Sequence, residues 1–497
     1  MYNKKGAKLG VTVMLLFFVY TLQASTFHFT SGCIEAQKCI ATLRLNKAEQ
    51  ILELEKKLNP TNAAIAYLEN TIDFYKVVTS QNPLDYKSAQ QFKNSRFETA
   101  KQIPQSSPYY LYVQSEMYLQ WGFIKVFQQD FLSSMLDFRS AYQLANQNVS
   151  KFPNFLPSQK TIGLFKALLG TTPKNYKWVL NIAGLSGNYE QGIQLIEKYL
   201  QSDIPEEYII DKQLCVFYYG LFTLNFDDKK KAWEFVRNNT KDWETNLMSC
   251  YLRAYTANKA AQNEEAINVL TNRPKTTEYS SFPMLDLMLG QYKLYRLDAD
   301  ADLPIKSFIY QYKGKVLLYD AYHRLSWFYL INGNKEKYLA YRELERKIKK
   351  SDSEEEKNTK YVLAKNLPQN ITVLKARLLF DGGYYTKAEE TIKQHDIDAC
   401  KTTYQKQEYY YRYGRIFQEM HKYSSAIEMY AQVIKNSSKS SPYSFAPLSY
   451  LQVGIIYGKM GFKQLAKSNL EAAKEYSKAE HIQEIEIKVA TELEKLD

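Results

Sequence analysis

The sequence predicts an all-α solenoid built from antiparallel helix hairpins, and a recurring pair of small residues is the main reason. Gly414 and Ala426 lie twelve positions apart, and so do Gly454 and Ala466. Because small residues are needed where two helices cross closely, each pair predicts one hairpin. Composition agrees, since only 19 Gly and 14 Pro occur among 497 residues, which favours long helices joined by short turns.

The same spacing recurs upstream with lower fidelity. The further pairs are Gly122/Ser134, Leu180/Gly192, Gly220/Ala232, Ala254/Ala266, Ser326/Tyr338 and Ala376/Ala388. Near the N-terminus, Ala48, Leu52 and Pro60 are typical of the second half of another unit. The layout follows the tetratricopeptide repeat (TPR) pattern W-x2-L-G-x2-Y…A-x3-F, with Tyr in place of Trp. An irregular helical array of the same class is the alternative for the middle of the chain.

The first 24 residues predict an export signal and not a part of the fold. Three lysines precede an uncharged, mostly apolar run from Leu9 to Leu22, and Ala24 and Ser25 offer small residues for cleavage. The run is too short to span a bilayer comfortably. An uncleaved anchor is the alternative, because Leu22 is unfavourable three positions before the cleavage point. We expect an exported protein, in the periplasm or at the outer-membrane periphery if the cell is Gram-negative.

The charge of the chain indicates the kind of partner. The formal net charge is +12, and it falls to +9 when the three lysines of the signal are removed. In an exported protein this excess favours acidic partners or association with the anionic envelope membrane. No nucleic-acid-binding motif is present, so nucleic acid is not expected as a partner. The polar stretch 351–360 predicts a linker between irregular repeats at 25–350 and C-terminal TPR repeats at 361–497.

The sequence contains no pattern typical of catalysis, of a cofactor or of a metal site. The five histidines form no HxxxH or HExxH motif, and GxSxG, Walker and GxGxxG motifs are absent. The acidic run 298–302 lacks the Gly and the terminal Glu of a calcium loop, which favours an ordinary turn. The five cysteines leave at least one unpaired. Cys33 and Cys39 would lie about 9 Å apart on a helix, beyond disulfide reach.

A partner-binding groove is predicted on the first helices of the C-terminal units, which line the concave face in TPR arrays. The repeat register places these side chains there: Arg377, Phe380, Tyr411, Arg415 and Gln418. Arg377 and Arg415 hold equivalent positions in neighbouring units, and guanidinium groups bind carboxylates through two hydrogen bonds. We therefore expect a protein or peptide partner that is acidic. The alternative is that each arginine pairs with a neighbouring acid, such as Glu408 or Glu419.

Three C-terminal segments resemble repeats of exported TPR proteins of Bacteroidota: VLKARLLFDGGYYTKA, YYYRYGRIFQEMHKYSSAIEMY and LQVGIIYGKMGFKQLA. Middle stretches that begin FLPSQKTIGLF and LGQYKLYRL are more loosely similar to the eukaryotic inclusion-body-clearance TPR family. The resemblance implies a non-catalytic protein-interaction scaffold, which we expect at the cell envelope. Two other classes stay open. A carbohydrate- or lipid-binding helical module would be favoured by an aromatic-lined closed cavity, and a helical-toroid enzyme would need convergent acids with His or Tyr.

Overall fold

The computed structural model describes residues 26–172, 186–348, 370–437, 445–480 and 483–496, and these residues are almost entirely α-helical. Their only β-type contact is an isolated bridge between Thr26 and Asn62. The predicted signal at 1–24, the predicted linker at 351–360 and Leu180 lie outside the described residues. None of the described helices is both long and apolar enough to cross a membrane.

The described helices pair in chain order into eleven antiparallel hairpins, followed by one last helix. Hairpins 1 to 4 are α1 (Ser31–Ala41) with α2 (Leu45–Leu58), α3 (Ala63–Ser80) with α4 (Pro83–Lys101), α5 (Tyr109–Phe127) with α6 (Phe131–Lys151), and α7 (Leu156–Gly170) with α8 (Tyr189–Gln201). Hairpins 5 to 8 are α9 (Ile209–Phe226) with α10 (Lys229–Asn239), α11 (Leu247–Lys259) with α12 (Asn263–Thr271), α13 (Met284–Tyr295) with α14 (Asp302–Gln311), and α15 (Leu318–Ile331) with α16 (Lys335–Lys347). Hairpins 9 to 11 are α17 (Ile371–Asp381) with α18 (Tyr385–Lys393), α19 (Thr403–Glu419) with α20 (Tyr423–Lys435), and α21 (Phe445–Lys459) with α22 (Lys463–Glu480). The last helix is α23 (Gln483–Glu494), and two short 3₁₀ helices lie at Glu206–Tyr208 and Ile397–Ala399.

The turn between the two helices of a hairpin follows a shared pattern. In several hairpins three residues separate the helices, and the middle one has a positive φ angle. Gly333, Gly383 and Gly461 hold this position with φ values of +75°, +80° and +82°. Ala261 and His421 adopt the same left-handed conformation at 60° and 58°, although they carry a side chain.

The two C-terminal small-residue pairs, Gly414/Ala426 and Gly454/Ala466, lie at helix crossings, as predicted. A Cβ atom added to Gly414 would lie 2.7 Å from the ring of Tyr430, on the second helix of the same hairpin. A Cβ atom added to Gly454 would lie 2.7 Å from Cγ of Leu470. Ala426 and Ala466, the second members of the two pairs, are fully buried. The fold is therefore the predicted all-α, TPR-like solenoid of helix hairpins.

Leu180 of the predicted pair Leu180/Gly192 lies outside the described residues, and its partner Gly192 packs against α7. The helix that packs against α8 is α7, and a Cβ atom at Gly163 would lie 3.1 Å from the carbonyl oxygen of Gly192. The two small residues that cross in this hairpin are therefore Gly163 and Gly192.

The N-terminal part of the array closes on itself. Asn46 on α2 donates hydrogen bonds from Nδ2 to the carbonyl oxygens of Thr277 (2.9 Å) and Tyr279 (3.1 Å). The backbone N–H of Leu247 donates to the carbonyl oxygen of Thr42 at 3.3 Å, and α1 packs along α9. One hydrophobic core contains buried residues from two parts of the chain, Cys33 to Ile124 and Ile210 to Tyr292. Hairpin 1 is thus in contact with both its sequence neighbour and segments more than two hundred residues away.

A fully buried charge cluster joins the first helices of hairpins 3, 4 and 5. Lys160 Nζ donates to Glu116 Oε2 at 2.7 Å and to Asp211 Oδ1 at 2.8 Å. The hydroxyl of Tyr112 donates to Asp211 Oδ2 at 2.6 Å, and Thr161 donates to Glu116. Burial raises the pKa of the Glu116 carboxyl, against the attraction of Lys160. Burial alone would lower the pKa of the Lys160 ammonium group. The attraction of the two carboxylates is stronger than this effect and raises the pKa above its usual value.

All five cysteines are buried and unpaired. Cys33 and Cys39 both belong to α1, so the helical geometry that separates them beyond disulfide reach is present. Cys215 and Cys250 lie in first helices of successive hairpins, α9 and α11. Burial raises the pKa of the Cys250 thiol to about 12, which leaves it protonated and unreactive at neutral pH.

Candidate binding groove

Three of the five predicted groove residues line one cavity. Arg377, Phe380 and Arg415 face a cleft of about 420 Å³ that is bordered by α10, α11, α13, α15, α17, α18 and α19. We call this cleft the arginine groove. Its lining residues come from hairpins 5 to 10, so it is a surface shared by many repeats.

The other two predicted residues, Tyr411 and Gln418, are buried and do not line the groove. Tyr411 packs between the rings of Tyr430 and Phe445, at centroid distances of 6.0 and 5.5 Å. Gln418 donates to Gln452 at 2.9 Å and accepts from the Tyr430 hydroxyl at 2.6 Å. The reason is helical geometry. Both residues share the face of Gly414, being three positions before it and four after it, and this face packs against α20 and α21.

Each of the two arginines lies against an aromatic ring of the preceding hairpin. The guanidinium carbon of Arg377 is 4.6 Å from the centroid of Trp327, on α15. The guanidinium carbon of Arg415 is 5.3 Å from the centroid of Phe380, on α17. Cation–π contacts of this kind contribute about 0.5–2 kcal/mol, more when they are shielded from water. They hold the arginines in an alternating row with the aromatic rings along one wall.

The alternative that each arginine pairs with an acid is partly realised. Arg377 Nε lies 3.8 Å from Asp381 Oδ2, and Arg415 Nη2 lies 3.5 Å from Glu419 Oε1. Glu408 contacts a different arginine, Arg412, at 3.9 Å. All three distances exceed the roughly 2.7–2.9 Å of a charge-assisted hydrogen bond. Each groove arginine thus has an acidic neighbour one turn further along its own helix.

The wall of the groove also contains buried polar atoms that lack a hydrogen-bond partner among the described residues. They are Nε2 of His323, Nε1 of Trp327 and Nε of Arg415. His323 and Trp327 are each only 5 % exposed. Nδ1 of His323 contacts Glu345 Oε1 at 2.8 Å, so the proton belongs on Nδ1. With the proton on Nδ1, Nε2 of His323 is an acceptor, and the donors without a described partner are Nε1 of Trp327 and Nε of Arg415. A buried donor without a partner costs about 1–3 kcal/mol, and a ligand acceptor would remove this cost.

The formal charge of the groove is positive. Its basic lining residues are Lys229, Lys259, Arg324, Arg377 and Arg415. Its acidic lining residues are Asp381 and Glu419. Within the described part of the chain, no group of three His, Cys, Asp or Glu side chains is placed to hold a metal ion. The arrangement suits an anion with several acceptor oxygens and some apolar surface.

Trp327 and the groove residues from hairpins 5 to 7 were not predicted from the sequence, although a repeat position shared by some of them could have identified them. Trp327 follows the small residue Ser326, just as Arg377 follows Ala376 and Arg415 follows Gly414. Gln291, which follows Gly290, lines the groove as well. The position after the small residue thus faces the groove in four hairpins. Lys229 and Lys259 lie at helix ends, and no periodicity identifies them.

The hairpin geometry defines the chain as a TPR-like α-solenoid. Neither a protein-family model nor a curated protein sequence matches it. Among solved structures it is similar to the human IFIT1 dimer with m7Gppp-AAAA, at 14% identity, with 94% of this chain and 90% of that chain covered and a TM-score of 0.27. It is also similar to the APC/C hetero-tetramer Cut9–Hcn1, at 11% identity, 90% and 88% coverage and a TM-score of 0.29. At such TM-scores the similarity defines neither a ligand nor a partner for this chain.

Proposed function

We propose that this protein is a non-catalytic interaction scaffold of the cell envelope, and that it binds an acidic segment of a partner protein in the arginine groove. The observation that carries the proposal is the row of Trp327, Arg377, Phe380 and Arg415 along one wall. Rings and cations in alternation fit a peptide in which acidic side chains lie between apolar ones, because carboxylates contact the arginines while apolar groups contact the rings.

The acidic character of the partner is supported by the balance of charge in the groove. Five basic and two acidic side chains line it, so the formal charge of the lining is positive. A carboxylate that enters the groove would therefore meet net positive charge. It would also supply an acceptor to the buried Nε1 donor of Trp327.

Binding of synthetic peptides tests the groove. A fluorescent peptide rich in Glu with interspersed Leu should bind, and its affinity should fall as salt is raised, because screening weakens contacts between exposed charges. A peptide of the same length with Gln in place of Glu is the matched control. Equal affinity for the two peptides would refute the proposal. Tighter binding of a single-stranded oligonucleotide than of the acidic peptide would overturn the expected exclusion of nucleic acid.

The envelope location rests on residues 1–24 alone, with their basic start, short apolar run and small residues at Ala24 and Ser25. We expect the mature protein to begin near Ser25. N-terminal sequencing of protein purified from the envelope fraction of the native host tests this. A chain that still begins at Met1 in that fraction would favour an uncleaved anchor, and recovery of the protein from the cytoplasm alone would refute export.

A further inference from the structure

A second cavity, of about 260 Å³, lies inside the closed N-terminal part of the array. Its wall is formed by first helices of four hairpins, α3, α5, α9 and α11, together with the residues that lead into α13. Representative lining residues are Phe74, Val78, Phe123, Phe217, Tyr251 and Phe282. The cavity shares no lining residue with the arginine groove. We call it the aromatic cavity.

The wall of the aromatic cavity is apolar and partly pre-ordered. The ring of Tyr251 stacks on Phe217 at 6.1 Å and on Phe282 at 5.7 Å, with interplanar angles of 23° and 26°. Among the described residues that line the cavity none carries a charge, and the polar ones are Thr79, Gln81 and tyrosines. A charged group inside would lose its hydration without gaining a counter-ion. The part of a ligand that enters must therefore be uncharged and mainly apolar.

The volume indicates the size of that ligand. An apolar cavity of about 150 Å³ holds one benzene molecule, which has six heavy atoms. By the same proportion, a 260 Å³ cavity holds about ten apolar heavy atoms. A single phenyl ring would leave much of the space empty, and unfilled apolar space forfeits dispersion contacts. A flexible chain of eight to ten carbons fits the volume better than one aromatic side chain does.

We propose that the aromatic cavity binds the hydrocarbon chain of a small single-chain amphiphile, with the polar end of the ligand at the cavity mouth. Met248 and Met284, whose side chains adapt to irregular shapes, belong to the wall and suit a flexible ligand. The site is independent of acidic-peptide binding, because it lies in other hairpins and has the opposite chemical character. It would make the scaffold responsive to a lipid-like molecule.

The length dependence of binding tests the proposal on the unmodified protein. Calorimetric titration with uncharged n-alcohols from hexanol to dodecanol should show affinity rising about fourfold for each added methylene. The rise should level off near ten heavy atoms, when the cavity is full. Binding that is not saturable, or an increase that continues unchanged through dodecanol, would overturn the proposal. Tighter binding of p-cresol than of octanol would also overturn the proposal. That result would indicate a site for a single aromatic ring, such as the side chain of a partner protein.

A variant that fills the cavity provides the second test. Val78 is half-buried and lines the wall, so Val78→Phe should occupy part of the space and weaken octanol binding at least tenfold. Val316→Phe is the matched control, because Val316 is exposed and lies outside the cavity. Both variants should bind the acidic peptide as the parent does. Equal octanol affinity in the two variants would show that octanol binds outside the aromatic cavity and would overturn the proposal. Loss of peptide binding with unchanged octanol binding would contradict the proposal for the arginine groove only.

Discussion

The guanidinium of Arg415 lies against the ring of Phe380, 5.3 Å from its centroid, so a cation of one hairpin rests on an aromatic ring of the hairpin before it. Arg377 repeats this relationship one hairpin earlier, at 4.6 Å from Trp327. The wall of the arginine groove is therefore made of contacts between hairpins. Any change in the stacking of adjacent hairpins would alter the spacing of the two cations.

Removal of both arginines should separate binding from stability. In Arg377→Ala/Arg415→Ala we expect acidic-peptide affinity to fall at least tenfold and to lose most of its salt dependence, since each charge-assisted contact contributes about 1.5–3 kcal/mol. The free energy of unfolding should fall by no more than about 1–4 kcal/mol, because the contacts of Arg377 with Trp327 and of Arg415 with Phe380 contribute about 0.5–2 kcal/mol each. Fluorescence titration and urea unfolding measure the two effects.

The controls for this variant address charge and position. Arg377→Lys/Arg415→Lys keeps the charge but loses the planar donor group, so it should recover only part of the affinity. Arg139→Ala, at an exposed position on α6, should leave peptide binding unchanged. Undiminished binding by the double alanine variant, or its simple unfolding, would assign both arginines to the scaffold and not to the ligand.

Large side chains at the helix crossings should destabilise the repeats. Gly414→Leu and Gly454→Leu are each expected to cost roughly 1–3 kcal/mol or more, because Tyr430 and Leu470 are buried and cannot move aside. Gly458→Leu, on the same helix as Gly454, is the control, since an added Cβ there would meet Leu496 at 3.4 Å and Ala466 at 3.9 Å, which are ordinary van der Waals distances. Thermal melts compare the three variants. Melting temperatures of the first two equal to that of the control would mean that these crossings are not closely packed.

The buried charge cluster should be sensitive to the loss of its only cation. Lys160→Met leaves Glu116 and Asp211 buried without a counter-ion, and we expect a loss of about 3–5 kcal/mol in the free energy of unfolding. Replacing all three, as Lys160→Met/Glu116→Gln/Asp211→Asn, should recover much of this loss, because no uncompensated charge remains. Urea unfolding curves test both variants. A triple variant less stable than the single one would show that the ion pairs themselves stabilise the fold.

A carboxylate between hairpins should make part of the stability depend on pH. Lys393 and Lys422 contact Glu389 at 2.5 and 2.8 Å, and their hydrogen bonds lower its pKa below the ordinary value of 4.5. A lowered carboxyl pKa stabilises the folded state above the unfolded pKa, and this contribution is lost as the pH falls through the folded pKa. Glu389→Gln should therefore cost about 0.5–1 kcal/mol at pH 7. The difference from the parent should shrink below pH 4.5, as chemical unfolding at a series of pH values would show.

The hairpins were predictable from the sequence because each close helix crossing requires a small residue, and this steric requirement is local. Only a small residue fits at Gly414 or Gly454, so the pattern survives in the sequence. The burial of Tyr411 and Gln418 could have been predicted, because they share the helix face of Gly414, which the repeat pattern already assigns to the helix crossing. The burial of Lys160 could not be predicted, since a lysine normally lies at the surface and no periodicity in the sequence identifies its two carboxylate partners. The contacts of Asn46 with residues 277 and 279 join segments that no repeat period relates.

The closure of the N-terminal part has a consequence for how the chain folds. In an open solenoid each repeat contacts only its neighbours, so folding can begin at any repeat and spread along the array. Here Asn46 and Tyr279 are separated by 233 positions, and hairpin 1 reaches its complete set of contacts only after the segment around Tyr279 is available. Such distant pairings slow folding, because the chain loses entropy when the long loop closes and gains the stabilising contacts only afterwards. During synthesis, the apolar faces of α1 and α2 are therefore exposed to aggregation until more than half of the chain has emerged.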